Sequence, residues 1–165
     1  MSTLSLDQPP SIPSLPGTYA LVLYLRKTSE IEIGKLGSSI CPPGYYIYVG
    51  SALGPGGLAG RLRRHSRSTA SPEWQPRWHI DYLRHYTKTV GLWVVELPAR
   101  REHDWASVLQ ELPGATITIP GFGSSDCGCP AHLFHFPHHP QPDDFQRLLL
   151  LRFPGEEVVV FDNSF

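Results

Sequence analysis

Hydrophobic and polar positions along the chain change period several times, and each change marks an element. From Gly17, "TYALVLYLR" runs β-branched, aromatic and aliphatic residues together as a strand, and "EIEIGKLG" alternates with a strict period of two as its neighbour. A Pro-Pro-Gly turn leads into a third strand, Tyr45 to Val49, so the first three elements predict a small antiparallel sheet. The period then lengthens. "LAGRLRRHSRS" spaces Leu58 and Leu62 four apart, which predicts a short helix with one apolar stripe and its arginines on the other faces. "RWHIDYLRHY" spaces Trp78, Tyr82 and His85 or Tyr86 as a helix does, "KTVGLWVVEL" returns to strand, and "REHDWASVLQEL" places Trp105, Val108, Leu109 and Leu112 on one helical side. A glycine loop, "PGFGSSDCGCP", precedes a strand "AHLFHF". After the linker-like "PHHPQP" come a helix, "DDFQRLLLLRF", and a segment "EEVVVFDNSF" that fits a strand or a tail. This order predicts an α+β fold, a mainly antiparallel sheet flanked by helices.

Length and composition set the frame for these elements. A chain of 165 residues is the size of one domain, and 17 prolines with 15 glycines imply many loops and irregular ends. Residues 1–16, with Pro9, Pro10, Pro13 and Pro16 and no hydrophobic period, are expected to be a disordered leader. The folded domain is expected over 17–137, with 138–165 as a linker and C-terminal extension. The three cysteines are an odd number and no N-terminal stretch has the form of a signal, which fits a reducing cytoplasm. No segment approaches the roughly 20 apolar residues of a membrane span.

The formal net charge of −1 argues against a protein that coats nucleic acid by bulk electrostatics. Its distribution is uneven, however. From Leu58 to Lys88 there are seven basic residues (Arg61, Arg63, Arg64, Arg67, Arg77, Arg84, Lys88) against Glu73 and Asp81, half of the 14 in the chain. Any nucleic-acid footprint lies there, with Arg63, Arg64, Arg67 and His79 as its candidate contacts.

"GTY" at 17–19 on the first strand, "YVG" at 48–50 on the third and a basic helix directly after it resemble the GIY-YIG nuclease family. Thr18 and Val49 stand where the family has its central isoleucines. "GYYIYVGSA", "WHIDYL" and "GFGSSDCGCPAHLF" look like a branch whose members occur alone or fused to DNA-repair glycosylases of the endonuclease III kind. The resemblance covers about residues 17–137. It implies a metal-dependent endonuclease acting on duplex, branched or damaged DNA. Tyr19 and Tyr48 match the motif tyrosines, Arg61 the helix arginine, and His65 a position often held by Tyr or His. Glu102 matches the single metal-binding glutamate. The later asparagine that many active members carry has no clear equivalent.

The chemistry suits those residue types. Phosphodiester hydrolysis needs an activated water and positive charge on the phosphoryl oxygens. One carboxylate with phosphate oxygens and waters can hold a single Mg²⁺ or Mn²⁺, and an arginine forks two donors onto phosphate. A tyrosine is a poor base unless a metal or arginine lowers its pKa, whereas histidine titrates near neutrality and could share the proton work. Tyr46 and Tyr48 share one strand face, and Arg61 and His65, four apart, share a helix face.

Plainer readings stand beside these. Strand tyrosines are usually packing residues, an arginine cluster is usually a solvated face, and an acid opening a helix is favoured by its dipole. A DNA-binding or damage-recognition module that keeps the fold without hydrolysis is therefore the alternative. Cys127, Cys129 and His132, with His135 near, also admit zinc, although Cys-x-Cys is tighter than the common Cys-x2-Cys and "GCP" can be a simple turn. Asp126 and His132 could instead belong to the phosphate site. His79 and Asp81 point differently on a helix, which suits an anchor or a DNA contact better than an acid-base pair.

Overall fold

The computed structural model describes residues 2–4, 12 and 14–162, with side chains from residue 12 onward. Its elements in chain order are β1 (Ser2–Leu4), β2 (Gly17–Leu25), β3 (Ser29–Glu32), a 3₁₀ turn (Gly34–Leu36), β4 (Ser38–Cys41), β5 (Gly44–Ala52), α1 (Gly57–His65), α2 (His79–Arg84), β6 (Lys88–Glu96), α3 (Glu102–Glu111), β7 (Leu133–Phe136), α4 (Pro142–Arg152) and β8 (Val159–Asp162). The main sheet runs β1-β8-β6-β2-β5-β7. All its neighbours are antiparallel except β1, which pairs parallel with β8. The α+β class expected from the sequence is the class found.

β2 is buried along its whole length apart from Tyr24, which explains why its sequence is nearly continuous in apolar residues: both of its faces are covered. On one face Tyr19, Leu21, Leu23, Tyr46 and Leu92 pack with Leu58 and Leu62 of α1 and Ile80 and Leu83 of α2. On the other, Ala20, Val22, Ile47, Val49 and Trp93 pack with Trp105, Val108 and Leu109 of α3 and Phe145 and Leu149 of α4. The ring of Phe145 lies 5.2 Å from that of Trp93 and 4.9 Å from that of Trp105, joining α4 to α3 and the sheet.

Three expectations are corrected. "EIEIGKLG" does not join the main sheet: β3 is four residues long, pairs with β4 as a separate hairpin and sends Ile31 into the core while Glu30 and Glu32 face water. Residues 138–165 are not merely a linker and extension. α4 covers one face of the sheet, and β8 pairs with β6 from Gly91↔Asp162 to Val94↔Val159, a placement that buries Val158, Val160 and Phe161 of the "VVVF" run. Within the leader, Ser2–Leu4 pair with β8 rather than being disordered. The rest of that expectation falls mainly on residues 5–11 and 13, outside the described residues.

Candidate active site

The register of β2 on β5 sets Tyr19 opposite Gly50 and Leu21 opposite Tyr48, so both motif tyrosines stand on the face covered by α1. Their rings lie 6.5 Å apart between centroids. Gly50 makes this possible, since a Cβ there would come within 2.4 Å of the Tyr19 hydroxyl. The glycine of one triplet thus makes room for the tyrosine of the other.

Leu58 and Leu62 dock α1 on the sheet, and the same docking turns Arg61 and His65 toward the tyrosines. His65 is 5 % exposed, and its Nε2 is 2.7 Å from the Tyr19 hydroxyl oxygen. Burial, aided by Arg84, pushes the His65 pKa down to about 3. The sequence expectation of a near-neutral histidine is therefore corrected: His65 is uncharged. Its Nδ1 is buried without a hydrogen-bond partner. An orphaned acceptor costs less than an orphaned N–H, which assigns the proton to Nε2, donating to the Tyr19 oxygen. Burial likewise raises the Tyr19 and Tyr48 phenols well above their usual range, outweighing the opposing Arg61 charge. Both are neutral phenols, able to donate and relay but not to act as free bases.

Tyr19, Tyr48, Arg61 and Glu102 line one cleft of about 320 Å³, joined by Arg77, Trp78, His79, Asp126 and His132. The Arg61 guanidinium sits 4.7 Å over the Trp78 ring and has no carboxylate partner among the described residues. A stacked, unpaired arginine at a cleft wall is free to receive an anion. Arg64 is different. It donates to Asp81 Oδ2 at 2.7 Å, and the same oxygen accepts from the backbone N–H groups of Arg77 (2.7 Å) and Trp78 (2.9 Å). Asp81, 1 % exposed, thereby caps α2 and fastens it to α1. Arg64 is consumed in that anchor and does not line the cleft, whereas Arg63 and Arg67 lie exposed outside it. His79 accepts from the backbone N–H of Gly123 through Nδ1 at 2.9 Å, pinning the glycine loop to the cleft.

Glu102 opens α3, where the helix dipole favours a carboxylate. Behind it, Arg101 forks onto Glu156 Oε1 at 2.9 and 2.8 Å and fixes the helix start. Arg100 Nη1 reaches Glu102 Oε1 at 3.1 Å, but this arginine is largely exposed and offers a weak, exchangeable contact. Glu102 thus puts a hard carboxylate oxygen on the wall of the cleft that Arg61 also lines, the type of ligand that Mg²⁺ or Mn²⁺ takes together with waters and phosphate oxygens.

Sequence reasoning missed Trp78 and Arg77 as cleft residues because "RWHIDYL" reads as core spacing; the helix begins only at His79, which leaves both in the loop before it. It also missed His103. This side chain lies beside Cys127, Cys129 and His132, whereas His135 points away and bonds the Pro43 carbonyl oxygen at 2.9 Å. Among the described residues no helix is long and apolar enough to cross a membrane.

Residues 18–152 match the profile of a family, DUF123, described as a domain of unknown function. No curated protein and no solved structure matches the chain.

Proposed function

The chain belongs to the DUF123 family, and from the cleft we propose that it is a metal-dependent endonuclease of GIY-YIG type that hydrolyses DNA phosphodiester bonds, with a role in DNA repair. The observation that carries this reading is that Tyr19, Tyr48, Arg61 and Glu102, drawn from two strands and two helices, line a single cleft with His65 bonded to Tyr19.

Each group has a task that its environment suits. Arg61, steadied on Trp78, binds a non-bridging phosphate oxygen and offsets the charge that grows there. The Tyr48 hydroxyl has no partner among the described residues and donates to the same phosphate. Tyr19 acts as a relay: it accepts a proton from the attacking water while passing its own to a non-bridging phosphate oxygen, the water oxygen bonds phosphorus, and as the ester P–O bond breaks that proton moves on to the leaving oxygen, which departs as the alcohol. His65 donates to the Tyr19 oxygen throughout and steadies it. Glu102 would carry Mg²⁺ or Mn²⁺, and the ion, when bound, supplies further neutralisation of the phosphoryl group. Water and phosphate are oriented by groups already fixed in the fold, so little reorganisation accompanies the reaction.

The second reading is a DNA-binding module without hydrolysis, favoured by the burial that keeps both phenols protonated. The two readings separate on supercoiled plasmid and branched DNA with Mg²⁺, Mn²⁺ or chelator. An endonuclease gives metal-dependent nicked product. A binding module gives a shifted complex, weakened by Arg61→Ala, and no product.

A further inference from the structure

Beyond the cleft, the structure gathers a second set of chemistry-bearing side chains. One ligand atom each from His103, Cys127, Cys129 and His132 lie within 4.8 Å of one another. His103 Nδ1 is 2.9 Å from Cys129 Sγ, and Cys127 Sγ is 3.5 Å from His132 Nε2. In a tetrahedral zinc site with Zn–S of about 2.3 Å and Zn–N of about 2.0 Å, neighbouring ligand atoms stand about 3.3–3.8 Å apart. With separations no larger than 4.8 Å, the four groups are within about 1.5 Å of that geometry, reachable by side-chain rotation.

The surroundings agree. The loop from Gly121 to His132 is closed at its base by Gly121 N–H to Pro130 C=O at 2.8 Å and His132 N–H to Phe122 C=O at 2.7 Å. Beyond that base its outer turn has little core of its own, with Ser125, Asp126 and Gly128 exposed. A short polar loop of this kind is held in one conformation by cross-links rather than by burial. All three cysteines of the chain are free thiols, so the outer turn has no disulfide.

We propose that His103, Cys127, Cys129 and His132 form a Cys₂His₂ zinc site that staples this loop to the first turn of α3. Two thiolates and two neutral imidazoles balance the charge of Zn²⁺, and soft sulfur ligands select zinc over Mg²⁺. Four protein ligands leave no open position, so the ion is structural. With Nδ1 on the metal, His103 turns its Nε2–H toward Glu102 Oε1, 3.6 Å away. Such a carboxylate beside a metal-bound imidazole orients both partners. Zinc thus sets the side chain next to the cleft carboxylate, and His132 belongs to both the cleft wall and the staple.

The test needs no DNA, so it stands apart from the nuclease reading. The chain is purified under reducing conditions, its metal is counted by elemental analysis, and Co²⁺ is exchanged in to give a thiolate charge-transfer band. One zinc per chain is expected, kept in Cys41→Ser and lost in Cys127→Ser, Cys129→Ser and His103→Ala. Chelation should lower the melting temperature of the wild type by about 5 °C or more. Wild-type protein that takes up no zinc on reconstitution, and melts identically with and without chelator, overturns the site. Full zinc affinity in His103→Ala overturns the ligand assignment.

Discussion

The Tyr19 hydroxyl and His65 Nε2, 46 residues apart in sequence, meet at 2.7 Å inside the protein. The contact joins β2 to the last turn of α1, and it makes an uncharged imidazole the immediate neighbour of a neutral phenol. Neither group can trade a full charge at neutral pH, so the pair works as a hydrogen-bonded unit that orients and relays.

That burial has a pH signature. The unfolded imidazole titrates near 6.5, the folded one near 3, so between these values the unfolded chain binds one more proton. Stability conferred by the neutral, buried His65 is complete above about 6.5 and declines as pH falls toward 3. Urea midpoints should drop more for the wild type than for His65→Gln between pH 7 and pH 4. Parallel declines would contradict the assignment.

Gly50→Ala should cost about 1–3 kcal/mol, since its Cβ would meet the Tyr19 ring and hydroxyl at 2.4–2.5 Å. In a Tyr19→Leu background most of that penalty should vanish, because the clashing atoms are gone. A double-mutant cycle by urea denaturation reads the coupling directly, and a cycle that closes with no coupling would contradict the packing.

Arg61 and Arg64 lie three apart on one helix but should fail differently. Arg61→Ala should leave the melting temperature nearly unchanged, weaken DNA binding and reduce the salt dependence of binding by about one counterion. Arg64→Ala leaves buried Asp81 without its charged partner and should cost about 3 kcal/mol of stability. Equal effects of the two on melting would mean that the division between cleft and anchor is wrong.

How far the sequence reached depends on what kind of interaction positions each residue. Helix and strand periods carried the order of elements, and the shared faces of Tyr46 with Tyr48 and of Arg61 with His65 follow from local geometry alone. Which strands pair is a long-range matter: nothing local tells that "EIEIGKLG" makes its own hairpin or that "VVVF" returns to the edge of β6. Charge state was equally hidden, because the pKa of His65 is set by the sheet that buries it. His103 was overlooked for the same reason. Its partners lie more than twenty residues away, although its place beside Glu102 and the spare His/Cys chemistry of the loop were visible.

The most direct measurement is metal-dependent nicking of supercoiled plasmid by the wild type and Glu102→Ala at matched DNA binding. The account predicts product with Mg²⁺ or Mn²⁺, none with chelator, and a loss of about 10²-fold or more in Glu102→Ala while binding persists. Cleavage unchanged by Glu102→Ala would contradict the metal-holding role of Glu102, and no cleavage by a wild-type protein that binds DNA through Arg61 would contradict hydrolysis and leave the cleft as a site that holds DNA without cutting.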